Sequence, residues 1–164
     1  MAAFHDDMTE YHTQLEKGVI QKAYKGLLEY ILGLKTYFQK KYPEYSVSGS
    51  LYEGYMDMTY FALFPEPLKQ RKLKIAIVFL HEAFRFEVWL AAYNKQVQSQ
   101  YWKLVGDSDW KKYHLVPSIQ GADSILEHVL VDAPDFSDLD AVTQQIERGS
   151  LAFIQDVESF LASY

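Results

Sequence analysis

Apolar residues between positions 9 and 41 recur at steps of three and four: Leu15, Val19, Ala23, Leu27, Ile31, Leu34 and Phe38. That spacing predicts an amphipathic helix with one apolar stripe. Thr9 or Asp7 can cap its start, and Pro43 marks its end. A straight helix of this length would span about 50 Å, whereas a domain of this size is about 40 Å across. A bend or break is therefore expected, near Gly26 or Gly33. With Gly18, these glycines lie on one side of the helix. They are either tolerated surface positions or places where another backbone or a ligand comes close.

After Ser50 the period shortens. Leu51 to Phe64 carries Tyr52, Met56, Met58, Tyr60, Ala62 and Phe64 on one side, which predicts a long strand with Glu53 and Asp57 sharing the other. PEPLKQRK reads as a polar turn, with one helical turn after Pro67. LKIAIVFL is a near-continuous β-branched run and predicts a buried strand. His81-Glu82-Ala83 suits a hairpin connection. In FRFEVWL, Phe84, Phe86, Val88 and Leu90 face inward, while Arg85, Glu87 and Trp89 share the other face.

A second helix is expected over Ala92–Val105, packed through Val97, Tyr101 and Val105, with Gly106 as its C-cap. GDSDWKKYHLVPSIQGAD reads as a long irregular loop. Ile125–Val131 reads as a fourth strand. Ser137 is placed to cap a last helix, with Asp138 and Asp140 in its first turn and Leu139, Val142, Ile146, Phe153, Val157 and Phe160 on its apolar face. The order is helix, three strands, helix, strand, helix. It predicts a single α+β domain over residues 1–164, its mostly antiparallel sheet packed by long N- and C-terminal helices.

Charge narrows the partners. The net charge is −6, and residues 83–164 supply all of it, with 12 acidic side chains against 6 basic ones. A basic footprint for nucleic acid is missing, so neither nucleic acid nor an anionic membrane surface is an expected partner. No run approaches the ~18 apolar residues of a membrane span. The N-terminus MAAFHDDMTEYH is acidic where a signal peptide would be basic, so a cytoplasmic location is expected. Cysteine is absent, which excludes thiol chemistry and disulfides. Aromatic residues make up 16% of the chain, Tyr above all. Tyrosine covers apolar surface while keeping one end wet, as a cleft or a self-association surface requires.

Most catalytic motifs are missing. There is no phosphate loop, no dinucleotide fingerprint and no nucleophile elbow. His5, His12, His81, His114 and His128 form no i, i+3 or i, i+4 pair. No metal or cofactor is expected from this pattern. His81, beside Glu82 in a tight connection, is the histidine most suited to titrating in a useful range.

Two resemblances follow from the residues. YEGYMDMTYF followed by LKIAIVFLHEAFRFEVWL resembles a small bacterial protein family of unknown function, which implies no activity. The element order over residues 10–131 is similar to that of the restriction-endonuclease-like superfamily. That likeness implies an acid near the second strand, and an acid-x-Lys pair on the third that holds Mg²⁺ and activates water. Glu87 stands where the acid belongs, but Trp89 takes the place of the lysine. The second strand offers Lys72 and Lys74 and no acid; Asp57 is on the first.

Three readings remain open. One is a binding domain for a small ligand or a protein, with an aromatic cleft beside the sheet formed by Tyr55, Asp57, Arg85, Glu87 and Trp89. There Arg85 would hold a carboxylate or phosphate and Trp89 would offer a stacking surface. Another is a metal-dependent hydrolase built on Asp57 and Glu87, which requires the first and third strands to be neighbours. The last is a structural homodimer joined by Tyr-rich surface.

Overall fold

The break in the first helix falls at Gly18. In the computed structural model, which describes residues 2–164, helix α1 runs Ala2–Lys17 and α2 runs Val19–Lys41. Gly18 has φ +76°, in the left-handed region that costs any residue with a Cβ. The first helix starts earlier than Thr9, and the break precedes both Gly26 and Gly33. Those two continue α2, and a Cβ on either would meet nothing within 4 Å. Neither is a point of close approach. Gly26→Ala and Gly33→Ala should therefore each stabilise the protein by about 0.5–1 kcal/mol. Urea denaturation checks this, and a loss of stability at either site would show that the glycine is needed after all.

Residues up to Thr36 form one compact unit and Tyr37–Tyr164 another. The second holds one antiparallel sheet: β1 (Met58–Leu63), β2 (Leu73–Leu80), β3 (Arg85–Ala92), β4 (His114–Leu115) and β5 (Leu126–Asp132). The strand order is β1-β2-β3-β5-β4. The fold class is α+β, as the element order predicts. β4 lies inside the segment expected to be irregular, and at two residues it is too short for any periodicity to reveal it.

β1 begins at Met58, seven residues later than Leu51. Tyr52 instead folds back onto Tyr60 in an isolated antiparallel bridge. Between them the chain turns, with Gly54 at φ +72° and Met56 at φ 63°. The Asp57 carboxylate accepts the Tyr55 amide at 2.9 Å, and the Thr59 hydroxyl donates to the Glu53 carbonyl at 2.8 Å. Such local side-chain bonds compete with an extended strand. Glu53 and Asp57 thus do not share the side of one strand.

Helix α4 runs Lys95–Asp107 and α5 runs Leu139–Leu161, with the short α3 at Glu66–Lys69. Asn94 caps α4 by accepting the Val97 amide at 2.9 Å, so the helix starts three residues after Ala92. Gly106 lies within its last turn, and Ser108 is the C-cap. Asp138, rather than Ser137, caps α5 by accepting the Ala141 amide at 3.2 Å. The Ser137 hydroxyl donates instead to Asp135 at 2.5 Å.

One sheet face is the core. Phe61, Ile75, Ile77, Phe79, Phe86, Val88 and Leu90 are each at most 1% exposed and share that face by register. Phe153 of α5 lies against Tyr113, and Phe38 of α2 lies against Phe61. Glu147 of α5 binds the end of α2. It accepts from Tyr37 at 2.8 Å and from Tyr42, and pairs with Lys41 at 2.8 Å. Burial pushes its carboxyl up, but the hydrogen bonds from Lys41, Tyr42 and Tyr37 outweigh this and leave it below the usual range.

Candidate functional site

The face turned away from α5 carries the polar groups. Register sets its side chains in rows across the strands. Met58, Leu80, Arg85 and Asp132 form one row, and Tyr60, Val78, Glu87 and Val129 the next. Ala62, Ala76, Trp89, Glu127 and His114 form a third. Ala76, Val78 and Trp89 are buried, with Met58, Tyr60 and Leu80 packed against them. Tyr52 stacks on Tyr60 at the β1 edge, ring centroids 4.9 Å apart.

Glu87 sits at the centre of this face and is only 3% exposed. Buried carboxylates survive when their oxygens are hydrogen-bonded. Arg85 Nε donates to Glu87 Oε2 at 2.6 Å, and Trp89 Nε1 donates to Oε1 at 2.8 Å. The i, i+2 spacing along β3 places all three on one side. The face is polar along its spine, yet it is packed rather than open.

Glu127 is diagonal to Glu87 across the β3–β5 ladder. A bulge makes this so: Phe86 pairs with Val131 and Glu87 with Val129, leaving Leu130 as the extra residue. Burial raises the Glu127 carboxyl above its ordinary range, and the nearby Glu87 charge raises it further. A hydrogen bond with Ser124 and the fields of His114 and Arg85 oppose this. Asp123 is close enough to Tyr60 to add to the rise that burial imposes on that phenol. Lys95 Nζ holds the loop before β5 by donating to the carbonyls of Ile119 and Ala122, at 3.3 and 2.8 Å. Gln98 Nε2 donates to those of Ala122 and Ser124, both at 3.0 Å.

Residues 4–161 match the family described as a domain of unknown function, DUF7000. The chain belongs to the DUF7000 family. No curated protein and no solved structure matches it.

Of the five candidate residues in this DUF7000 domain, the fold brings together Arg85, Glu87 and Trp89. Tyr55 and Asp57 lie elsewhere, in the turn before β1. Tyr55 is 96% exposed, and Asp57 is tied to the turn's own backbone. The Met58 and Tyr55 amides hold the Asp57 carboxyl below its usual range. β2 separates β1 from β3, so Asp57 and Glu87 stand at least two strand spacings apart, roughly 10 Å. That is too far for shared Mg²⁺ coordination. Among the described residues, no three His, Asp or Glu side chains are placed to hold one ion. Trp89 offers no stacking surface either, because at 8% exposed it belongs to the packed floor.

The Asp57 charge acts on His81. The His81 amide donates to the Asp57 carbonyl at 3.0 Å, and its Nε2 is 2.9 Å from the Thr59 hydroxyl. Burial lowers the imidazole, and the Asp57 charge opposes that only in part. Glu127, Asp123, Tyr52 and Tyr60 are the site residues that sequence reasoning overlooked. A strand over Ile125–Val131 carries Glu127 and Val129 on one side by its period of two, but only the pairing with β3 sets them beside Glu87. Among the described residues no helix is long and apolar enough to cross a membrane.

Proposed function

We propose that this domain is a binding module for a small ligand bearing an amine or guanidinium group. The ligand would be taken at the β5 margin of the sheet face turned away from α5, where Glu127 is half-buried and Asp123 and Val129 are exposed, and not over its packed centre. The observation that carries this reading is the half-buried Glu127 carboxyl beside Glu87. Arg85, one row from Glu87, and Lys74 are the cations of this face by register, and the Arg85 Nε is already bound to Glu87. Glu127 and Asp123 therefore leave the face with excess negative charge, which a bound cation would relieve. The Tyr52–Tyr60 pair lies on the β1 side, three strand spacings (roughly 14 Å) from Glu127 on β5, so it would meet only the far end of an extended ligand such as spermidine.

The prior engagement of Arg85 is what disfavours a carboxylate or phosphate ligand. The Asp57–Glu87 separation and the buried Trp89 likewise give a metal-dependent hydrolase no support.

Titration calorimetry with spermidine and arginine methyl ester tests the reading. Binding should tighten as pH rises through and above the ordinary carboxyl range, because the raised Glu127 must lose its proton to attract a cation. Glu127→Gln should weaken binding about tenfold or more, roughly the worth of one charge-assisted hydrogen bond, and remove most of that pH dependence. Heats with phosphate or dicarboxylates, and none with either amine, would overturn the proposal in favour of Arg85.

A further inference from the structure

Helices α1 and α2 carry an apolar stripe that nothing in their own segment covers. On α1, Phe4, Met8, Tyr11 and Leu15 follow at steps of four, three and four. Phe4 is 68% exposed and Tyr11 58%. On α2 the stripe runs Ile20, Ala23, Leu27, Ile31, Leu34 and Phe38. Its last three members are buried, while Ile20 and Ala23 are exposed and Leu27 is half-buried. From Ala3 to Tyr30 no residue is buried.

A single residue, Gly18, joins the two helices, and they do not lie along each other. A helix of 16 residues is marginal in water unless its apolar face is packed. The first unit thus presents a face that calls for an occupant.

Charge identifies one. In α1, Asp6, Asp7, Glu10 and Glu16 against Lys17 leave −3; in Val19–Thr36, Lys22, Lys25 and Lys35 against Glu29 leave +2. The two halves are alike in length and opposite in sign. A two-fold axis near Gly18 would set the acidic α1 of each copy on the basic first part of α2 of the other, an isologous contact that closes.

We propose that the occupant is a second copy of this chain, paired α1 to α2 in both directions. The dimer so formed uses helical stripes rather than tyrosine-rich sheet surface, and it is independent of the ligand proposed above.

Sedimentation equilibrium of the full chain should give twice 19.1 kDa. A mass of 19.1 kDa at about 100 μM, where a dimer with a Kd of about 1 μM would leave little monomer, would overturn the proposal. Met8→Glu with Leu15→Glu should return the monomer. The near-ultraviolet signal of Trp89, Trp102 and Trp110, all beyond Thr36, should stay unchanged and show that the rest remains folded. Lys22→Glu with Lys25→Glu should weaken the dimer about tenfold, and adding Asp7→Lys with Glu10→Lys to that chain should restore it. A dimer that survives the first pair, or is not restored by the second, would overturn the α1–α2 pairing.

Discussion

Glu87→Ala is expected to lower stability by about 2–4 kcal/mol, mostly through Trp89. The indole N–H now donates at 2.8 Å to a carboxylate inside packed surroundings. With Glu87 gone, that donor is stranded, and a buried unpaired donor costs about 1–3 kcal/mol. The emptied volume beside Val78 adds to this. The Arg85 pair contributes less, because the arginine side chain is 38% exposed and water screens it.

Glu87→Gln separates the two effects. Its amide oxygen can still accept from Trp89, so the loss should be about 1 kcal/mol. Both are read by urea denaturation near neutral pH. Equal losses would show that the charge, not the acceptor, matters. Either change also removes the negative neighbour of Glu127, so the Glu127 carboxyl should move down toward its ordinary range, visible by NMR titration.

Phe153→Ala should cost about 3–5 kcal/mol, the range for removing a fully buried aromatic ring. Phe153 is 0% exposed. Its ring meets Tyr113 at 4.7 Å between centroids and lies parallel to His128 at 6.4 Å. Tyr113 is anchored from the other end by its hydroxyl, which donates to Asp156 at 2.5 Å, and Asp156 pairs with Lys112 at 2.8 Å. The surroundings are therefore held and cannot collapse into the gap.

Phe153→Leu should cost only about 1–1.5 kcal/mol, since most of the volume is kept. A second readout follows from His128. Burial lowers its imidazole, with the Glu87 charge opposing. Opening a cavity beside it should let its titration rise toward the ordinary histidine value. An unmoved His128 together with a loss near 1 kcal/mol would mean that the site closes over the missing ring.

Local patterns carried far in some segments and failed in others. LKIAIVFL pairs residue for residue with Arg85–Ala92, from Leu73↔Ala92 to Leu80↔Arg85, because a hairpin brings together residues already close in sequence. Phe84, expected to face inward, instead lies in the turn at φ 55° and is 48% exposed. Most of the α5 stripe was legible: Val142, Ile146, Phe153 and Val157 are buried and Phe160 is half-buried, whereas Leu139, in the first turn, is 42% exposed. The YEGYMDM segment misled for a reason of scale. Its alternation is that of a strand, but one glycine and one aspartate with reach to its own backbone were enough to turn it.

What the sequence determined by itself is the α+β class, the β2–β3 hairpin, the face shared by Arg85, Glu87 and Trp89, and the last helix. Each rests on a period of two or 3.6 within a short window. Tertiary structure alone decided that β3 lies between β2 and β5, that one bulged residue sets Glu127 beside Glu87, and that Trp89 is floor rather than surface. Strand neighbours and burial depend on residues about 40 positions apart in the chain, such as Glu87 and Val129. No local period records which distant segment will supply the other half of a site.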